Sequence, residues 1–246
     1  MSLNGKSAFI TGASGGIGRP LIKRLESAGV RINAYDQDKR GDLVRNLASV
    51  VDELTQDTPD ILINLAGINQ FACCEAQNYQ RLIDLNLIVP MTLAQAVLPE
   101  MRKRGTGHIV NIGSMVAEIP MPYLTGYVAS KAGLNGFSDA LRREISGQGI
   151  TVTHINPRAV RTTMNHGAMA TFNEMTRTTE DSPDWVAEQI FQAINNRVSR
   201  KSLGRKEGFF SLINALLPGM VDVAMRKQKQ VAEQVLFAPN HASRGE

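Results

Sequence analysis

The chain lacks the features that mark a secreted, zinc-binding or membrane-spanning protein. It has only two cysteines, which are adjacent at Cys73 and Cys74. Because a disulfide between neighbours would be strained and two thiols do not complete a zinc site, we expect reduced thiols and no metal site. No apolar run approaches the roughly eighteen residues of a membrane span. Residues 1–5 leave no room for a signal peptide before the first predicted strand.

Strong charge of either sign is also missing, since the formal net charge is only +4. The basic residues are spread out as far as residue 197, whereas a nucleic-acid reader needs a concentrated basic face and a recognisable module. We therefore expect a cytoplasmic protein with no nucleic-acid partner. What the chain does have is 43% apolar residues in a length of 246, which is enough for one domain with a sizeable core.

Short β-forming runs alternate with segments of helical periodicity along most of the chain. The runs lie at residues 6–11, 30–35, 60–64, 108–113 and 150–155. Apolar residues recur at three- and four-residue steps between them, as on the inward face of a helix. The alternation predicts an α/β domain with a doubly wound parallel sheet and helices on both faces.

A tyrosine and a lysine lie one turn apart on the helix predicted after Gly126. Tyr127 and Lys131 share a helix face, and an ammonium beside a phenol favours the phenolate. Such a phenol can exchange a proton with a substrate oxygen near neutral pH. Alone, the pair is weak and suits an ordinary helix surface. Ser114, however, ends the buried strand thirteen residues before Tyr127.

Two further signals indicate a nucleotide. Residues 11–18, Thr-Gly-Ala-Ser-Gly-Gly-Ile-Gly, follow the first predicted strand and open a helix. Glycines there allow a tight turn and bring the backbone close to a pyrophosphate. Asp36 follows the second strand, where an acid hydrogen-bonds the adenosine ribose and repels a 2′-phosphate. The alternative for Asp36 is a surface turn residue.

Taken together, these motifs resemble the short-chain dehydrogenase/reductase family from about residue 6 to residue 193. The matching stretches are Thr11 to Gly18, Asn64-Leu65-Ala66-Gly67, Asn86 within Asp-Leu-Asn-Leu, Ser114, Tyr127 with Lys131, and Pro157 to Thr162. The resemblance implies a single-domain Rossmann-type fold. It also implies an NAD(P)-dependent alcohol dehydrogenase or carbonyl reductase that transfers a hydride between the cofactor and a small alcohol or carbonyl substrate.

The resemblance also implies the catalytic roles. Tyr127 would be the general acid and base, and Lys131 would lower the pKa of the phenol and bind the nicotinamide ribose. Ser114 would hydrogen-bond the substrate oxygen. Asn86 would hold a water that continues the proton relay.

The cofactor set follows from the same resemblance. It comprises Gly12, Ser14, Gly16, Ile17, Gly18, Asp36, Asp42, Leu43, Asn64, Ala66, Gly67, Tyr127, Lys131, Val160 and Thr162. Ser14 and Gln37 stand where NADP-preferring members often carry a basic residue, so we expect NAD(H) to be preferred. Arg40 nearby keeps NADP(H) as the second choice.

Two departures from the family pattern stand out. Only twenty-seven residues separate Asp36 from Asn64, so the helix after the second strand should be missing and the third strand vestigial, ending at Asp42-Leu43. Arg158 replaces the usual glycine of the Pro-Gly-x-Val-x-Thr motif. Arginine would be strained there if the position required a positive φ.

The sequence divides into residues 1–196, the cofactor-binding and catalytic domain, residues 197–236, a helical extension packed on it, and residues 237–246, a disordered tail. Residues 163–181 should form a mobile lid whose methionines suit a hydrophobic substrate portion. Residues 115–124 should form another wall of the pocket. A nucleotide-binding scaffold without turnover is the alternative function on this fold.

The apolar block near the C-terminus has three competing uses. Phe209, Phe210, Leu212, Ile213, Leu216 and Leu217 lie beside Arg205, Lys206, Arg226 and Lys227. The block would cover the substrate pocket, bury against a second subunit, or place residues 207–230 on an anionic membrane surface. The first two uses are favoured, since apolar helix faces usually bury in protein. By resemblance, the assembly is a homodimer or homotetramer.

Overall fold

A computed structural model describes residues 2–237, apart from the side chains of residues 205–207. Within these residues the strands form one parallel sheet in the order β2-β1-β3-β4-β5-β6. The strands are β1 Ser7–Thr11, β2 Arg31–Tyr35, β3 Ile61–Asn64, β4 Gly107–Ile112, β5 Ile150–Asn156 and β6 Arg200–Ser202. The predicted doubly wound parallel sheet is confirmed.

Ten α-helices accompany the strands in the described residues. They are α1 Gly18–Ser27, α2 Gln37–Arg40, α3 Leu47–Gln56, α4 Tyr79–Ile83, α5 Val89–Arg104, α6 Thr125–Glu144, α7 Ala168–Met175, α8 Pro183–Asn195, α9 Arg205–Leu216 and α10 Pro218–Leu236. Short 3₁₀ turns cover Cys74–Ala76, Met115–Ala117 and Thr163–Asn165, and a π-helical turn covers Asp84–Ile88.

Side-chain alternation along the strands builds a core on each face of the sheet. On β1, Ile10 packs with α1 and α8, whereas Phe9 points to the other face and packs with α3 and α5. β3 and β4 are buried along their whole length, as expected for central parallel strands covered on both sides. The chain runs from β1 outward to β2 and then returns to β3 on the other side. The carboxyl ends of β1 and β3 therefore flank the crevice where such sheets bind ligands.

The helical segment Tyr79–Arg104 is long and apolar enough to cross a membrane by length and composition alone. Its apolar residues Leu93, Val97 and Met101 are fully buried in the core on one side of the sheet. The segment is therefore a core helix of this domain. The π-helical turn Asp84–Ile88, which contains Asn86, interrupts it.

The region between β2 and β3 is shortened as predicted, with one difference. Within the described residues it contains no strand, and a short helix, α2, stands directly after Asp36. Tyr35 is buried, and its hydroxyl donates to the carbonyl of Arg40 at 3.1 Å. This bond holds residues 36–43 against the edge strand β2. The short segment thus fills the place that a helix and a strand would occupy between β2 and β3.

The sheet also has an edge strand that the sequence did not reveal. β6 lies within the segment assigned to the helical extension, and it pairs in parallel with His154–Asn156 of β5. Arg200, Lys201 and Ser202 carry no alternating apolar pattern, because this edge strand is short and partly exposed. Pairing with β5, rather than side-chain character, makes it a strand.

The C-terminal helices α9 and α10 form a hairpin, and Pro218 begins the second helix. Ala232 and Val235 of α10 are buried with Phe172 of α7 in a small separate cluster. The hairpin is thus anchored on the segment predicted to be the lid. The predicted disordered tail, apart from Phe237, lies outside the described residues.

Candidate active site

A cavity of about 710 Å³ opens at the carboxyl ends of the central strands. It contains most of the residues that the sequence assigned to the cofactor and the reaction. These are Gly12, Ser14, Gly16, Ile17, Gly18, Leu43, Ala66, Gly67, Ser114, Tyr127, Lys131, Val160 and Thr162. The other four, Asp36, Asp42, Asn64 and Asn86, do not line it.

The glycine loop lies so close to its neighbours that side chains are excluded. A Cβ on Gly12, whose φ is +73°, would come within 2.7 Å of the backbone nitrogen of Ala66. A Cβ on Gly16 would lie 2.6 Å from Cγ2 of Thr162. The loop, which follows β1, therefore packs against the segment after β3 and against the segment after β5. It forms a cradle at the N-terminus of α1, which suits a pyrophosphate.

Ser114, Tyr127 and Lys131 meet where β4 ends and α6 begins. The Lys131 ammonium donates to the backbone carbonyl of Ile112 at 2.9 Å. Its nitrogen lies 5.8 Å from the centroid of the Tyr127 ring. The Ser114 hydroxyl lies near the Tyr127 phenol. The three side chains thus face one point in the cavity.

Burial controls the charge states of this group. Burial raises the pKa of the Tyr127 phenol, and the hydrogen bond with Ser114 offsets only part of that rise. Burial also lowers the pKa of the Lys131 ammonium to about 8. The lowering of the phenol pKa by the Lys131 charge stays a prediction. Tyr127 is protonated at neutral pH and can donate.

Asn86 organises the site from the π-helical turn. Its side chain accepts from the Ile68 backbone N–H at 2.9 Å and donates to the Ile68 carbonyl at 2.9 Å and to Ser130 Oγ at 3.0 Å. Ser130 in turn donates to the backbone carbonyl of Tyr127 at 2.8 Å. Asn86 therefore fixes the first turn of α6, and its role in holding a water stays a prediction.

Gly67 separates Asn86 from Lys131. A Cβ built on Gly67 would lie 3.1 Å from Asn86 Oδ1 and 3.4 Å from Lys131 Nζ. A larger residue would therefore press on both side chains. The bare backbone at this position leaves room beside the ammonium, which suits a ribose hydroxyl.

Asp36 lies at the outer end of the cavity without lining it. Its carboxylate accepts from the backbone N–H of Asp38 at 3.0 Å and caps α2. Tyr35 and Gln37 on either side do line the cavity. Arg40 is the residue that left NADP(H) as the second choice of cofactor. It is paired with Glu53, and its Cζ lies 4.6 Å from the centroid of the Tyr35 ring.

Asp42 and Asn64 support the lining residues. Asp42 is paired with Arg81, which lines the cavity near Leu43, and the hydrogen bond with Arg81 lowers the pKa of the Asp42 carboxyl. The Asn64 side chain is buried at the end of β3 and donates to Asn111 Oδ1 at 2.8 Å. Neither side chain faces the cavity directly.

Arg158 is not strained in place of the family's glycine. Its φ is not positive, so the arginine needs no left-handed backbone. The guanidinium instead makes two parallel hydrogen bonds of 2.8 Å to the Asp181 carboxylate. The backbone carbonyl of Asp181 also accepts from the Arg161 N–H, and the Asp181 N–H donates to the Ala159 carbonyl. The pair thus ties the cofactor segment to the far end of residues 163–181.

The wall opposite the glycine loop is largely apolar. It is made of Met115, Val116, Ile119, Met121, Leu124, Met164 and Met169, with Met225 from α10. The two segments expected to flank the substrate therefore face the cavity, and the second is partly helical as α7. No cluster of side chains that could hold a metal occurs within residues 2–237.

Sequence reasoning missed Arg81, Met225 and the Arg158–Asp181 pair. Arg81 lies on α4 without a motif around it, and Met225 reaches the cavity only because α10 folds over α7. Asp181 is separated from Arg158 by twenty-three positions. Contacts across such distances leave no local pattern in the residues themselves.

Known proteins resemble the chain in both sequence and structure. The family model described as short chain dehydrogenase matches residues 36–172. A 3-oxoacyl-[acyl-carrier-protein] reductase from Haemophilus influenzae is 33% identical over 186 residues, which cover 66% of this chain and 77% of the relative.

Two solved structures share the fold. One, from Beutenbergia cavernae, is described as an NAD(P)-dependent gluconate 5-dehydrogenase with bound NADP. It is 26% identical, with a TM-score of 0.72, over 82% of this chain and 95% of its own. The other is a 4-hydroxyisoleucine dehydrogenase mutant with NADH and succinate. It is 26% identical, with a TM-score of 0.70, over 80% and 96% of the two chains.

The lowered pKa of Lys131 predicts an unusual dependence of stability on pH. Because the folded pKa, about 8, is below the ordinary 10.5, the unfolded chain binds more protons between these values. Its free energy of unfolding should therefore rise with pH in this window. Lys131→Met removes that rise. The unfolding free energy of the variant minus that of the native protein should therefore fall by roughly 3 kcal/mol from pH 8 to pH 10.5.

Chemical denaturation at a series of pH values measures this difference. Lys23→Met, which changes an exposed lysine of α1, is the matched control and should show a difference that hardly varies with pH. A pH-independent difference for Lys131→Met as well would contradict a lowered pKa for this ammonium.

Proposed function

Because the chain belongs to the short-chain dehydrogenase family, we propose that Tyr127 exchanges the proton in its reaction, with NAD(H) as preferred cofactor and a hydrophobic carbonyl or alcohol as substrate. The chain is an oxidoreductase that transfers a hydride between a nicotinamide cofactor and a CH–OH or carbonyl group. The alternative of a scaffold without turnover has no support among its relatives.

The observation that carries the proposal is the convergence of Ser114, Tyr127 and Lys131 beside the glycine loop. The cradle formed by Gly12, Gly16 and Gly67 fits the cofactor, because a Cβ at any of them would occupy the space or strike a neighbour. The reduced nicotinamide supplies a hydride when bound. The chain must then handle only the proton and the charge on the substrate oxygen.

The proton step follows from the hydrogen bonds. In reduction, the protonated Tyr127 hydroxyl donates its proton to the carbonyl oxygen as the hydride reaches the carbonyl carbon. Ser114 donates a hydrogen bond to the same oxygen and stabilises the charge that develops there. Lys131 holds the nicotinamide ribose and stabilises the phenolate that is left. Oxidation of the alcohol runs through the same groups in reverse.

The apolar wall supports a hydrophobic substrate. Methionines at positions 115, 121, 164, 169 and 225 line the cavity, and flexible thioethers adapt to varied apolar shapes. The 33% identical relative acts, by its name, on 3-oxoacyl chains. A 3-oxoacyl thioester is therefore the first substrate class to test, ahead of sugar acids and small amino acids.

NAD(H) preference is supported by the residues around β2. Tyr35 and Gln37 line this end of the cavity, and the one arginine nearby, Arg40, is already paired with Glu53. Asp36 would repel a 2′-phosphate. The two solved neighbours contain NADP in one case and NADH in the other, so the preference has to be measured.

The proposal extends to the organisation of the protein. Residues up to 196 carry the cofactor-binding and catalytic site, and residues 197–236 extend the same domain. A homodimer or homotetramer is proposed from the family's habit of oligomerising, and a cytoplasmic location from the two free cysteines.

Replacement of Tyr127 by phenylalanine tests the proton step. Tyr127→Phe should lower turnover of a 3-oxoacyl thioester by roughly 10²–10⁴, because the proton donor is lost. Affinity for NADH, measured by its fluorescence, should change little. Tyr123→Phe is the matched control, since its hydroxyl bonds Glu233 and lies outside the cavity lining. Retention of most activity by Tyr127→Phe would rule out this assignment.

Replacement of Asp36 by alanine tests cofactor choice. Asp36→Ala should weaken NADH and strengthen NADPH, shifting the ratio of their affinities by on the order of tenfold or more, because a hydrogen bond and a repulsion are both lost. Asp38→Ala, on the same short helix, should leave the ratio unchanged. If the native protein already binds NADPH more tightly in calorimetry, Asp36 does not select the cofactor.

A further inference from the structure

Helix α9 turns its polar side toward the protein. Asn214 donates to the backbone carbonyl of Glu118 at 3.1 Å, and Ser211 lies near the Glu118 carboxylate. That carboxylate also accepts from Arg200 at 3.0 Å and from Asn156 at 2.7 Å. A helix on a soluble domain normally buries its apolar stripe and exposes its polar one. α9 does the reverse.

The apolar side of α9 faces solvent together with the start of α10. We call residues 208–224 the hairpin tip. Its exposed large apolar side chains are Phe209 (62%), Phe210 (50%), Leu212 (56%), Leu216 (70%), Leu217 (56%), Met220 (61%) and Val223 (57%). A contiguous apolar surface of this kind on a soluble protein marks a contact site.

The hairpin tip does not cover the substrate cavity. Among the described residues of α9 and α10, only Met225 lines it. The first use that the sequence suggested for the apolar block is therefore not realised. The two other uses that the sequence suggested are contact with another copy of the chain and contact with lipid.

Charge distinguishes these two occupants. Residues 208–221 contain no charged side chain, and the exposed Arg226 and Lys227 follow on α10. The exposed Asp222 lies one turn before Arg226 on the same face of α10 and offsets part of its charge, whereas Lys227 lies on the face of Met220. An apolar segment bordered by exposed cations is the pattern of an interfacial membrane anchor.

We propose that the hairpin tip docks on an anionic membrane surface. Phe209, Leu212 and Leu216 enter the boundary between headgroups and acyl chains, while Arg226 and Lys227 contact the anionic headgroups. The hydrogen bond from Asn214 to the Glu118 carbonyl holds α9 on the domain in this orientation. The anchor is peripheral, so the rest of the domain stays in water.

Cosedimentation of the full chain with vesicles tests the proposal. We expect binding to phosphatidylcholine vesicles that contain phosphatidylglycerol and little binding to phosphatidylcholine alone. Phe209→Ser with Leu216→Ser should weaken the partition coefficient at least about tenfold. Arg226→Gln with Lys227→Gln should weaken it about fivefold for each charge removed, and added salt should have the same effect. Turnover in solution should be unchanged in both variants.

Trp185→Ser is the matched control, because Trp185 is another exposed aromatic residue (41%) on α8, away from the hairpin tip. It should leave vesicle binding intact. Failure of the native protein to sediment with anionic vesicles at low salt would overturn the proposal. So would equal binding by Phe209→Ser/Leu216→Ser. A fall in mass of that variant by light scattering, without vesicle binding by the native protein, would assign the surface to a second copy instead.

Discussion

The buried ammonium of Lys131 is the constraint on which the site depends. Its hydrogen bond to the Ile112 carbonyl connects the first turns of α6 to the end of β4, and this places Tyr127 and Ser114 at one point. Burial makes the charge costly, as its pKa of about 8 indicates. A fold that keeps a buried ammonium loses stability for the sake of function. Gly67 and Asn86 leave the space around the Lys131 ammonium open.

Much of the fold and of the site could be predicted from the sequence, because the chemistry uses residues close together in the chain. Tyr127 and Lys131 are neighbours through helix geometry alone. Gly12, Gly16 and Gly18 are required because a Cβ at each would lie only 2.3–2.7 Å from a neighbouring atom. Strands buried on both faces are continuous apolar runs, so β3 and β4 are visible as such. These signals are local, and local patterns survive in a single sequence.

The remaining features depend on contacts between distant residues. β6 is a strand because β5 lies beside it, and Arg158 avoids strain because Asp181 receives its guanidinium. The orientation of α9 is set by Glu118, which lies almost a hundred positions earlier. The apolar pattern of the C-terminal block predicted a helix, but it did not predict which side of that helix faces solvent.

The most direct test of hydride transfer uses reduced cofactor with deuterium at C4 of the nicotinamide. Both C4 epimers of deuterated NADH are incubated with the protein and a 3-oxoacyl thioester, and the alcohol is examined by mass spectrometry. The account predicts one deuterium on the carbinol carbon from one epimer and none from the other, because the cavity fixes one face of the ring. A protein that binds NADH tightly yet transfers deuterium from neither epimer to any carbonyl compound in a broad panel would contradict it.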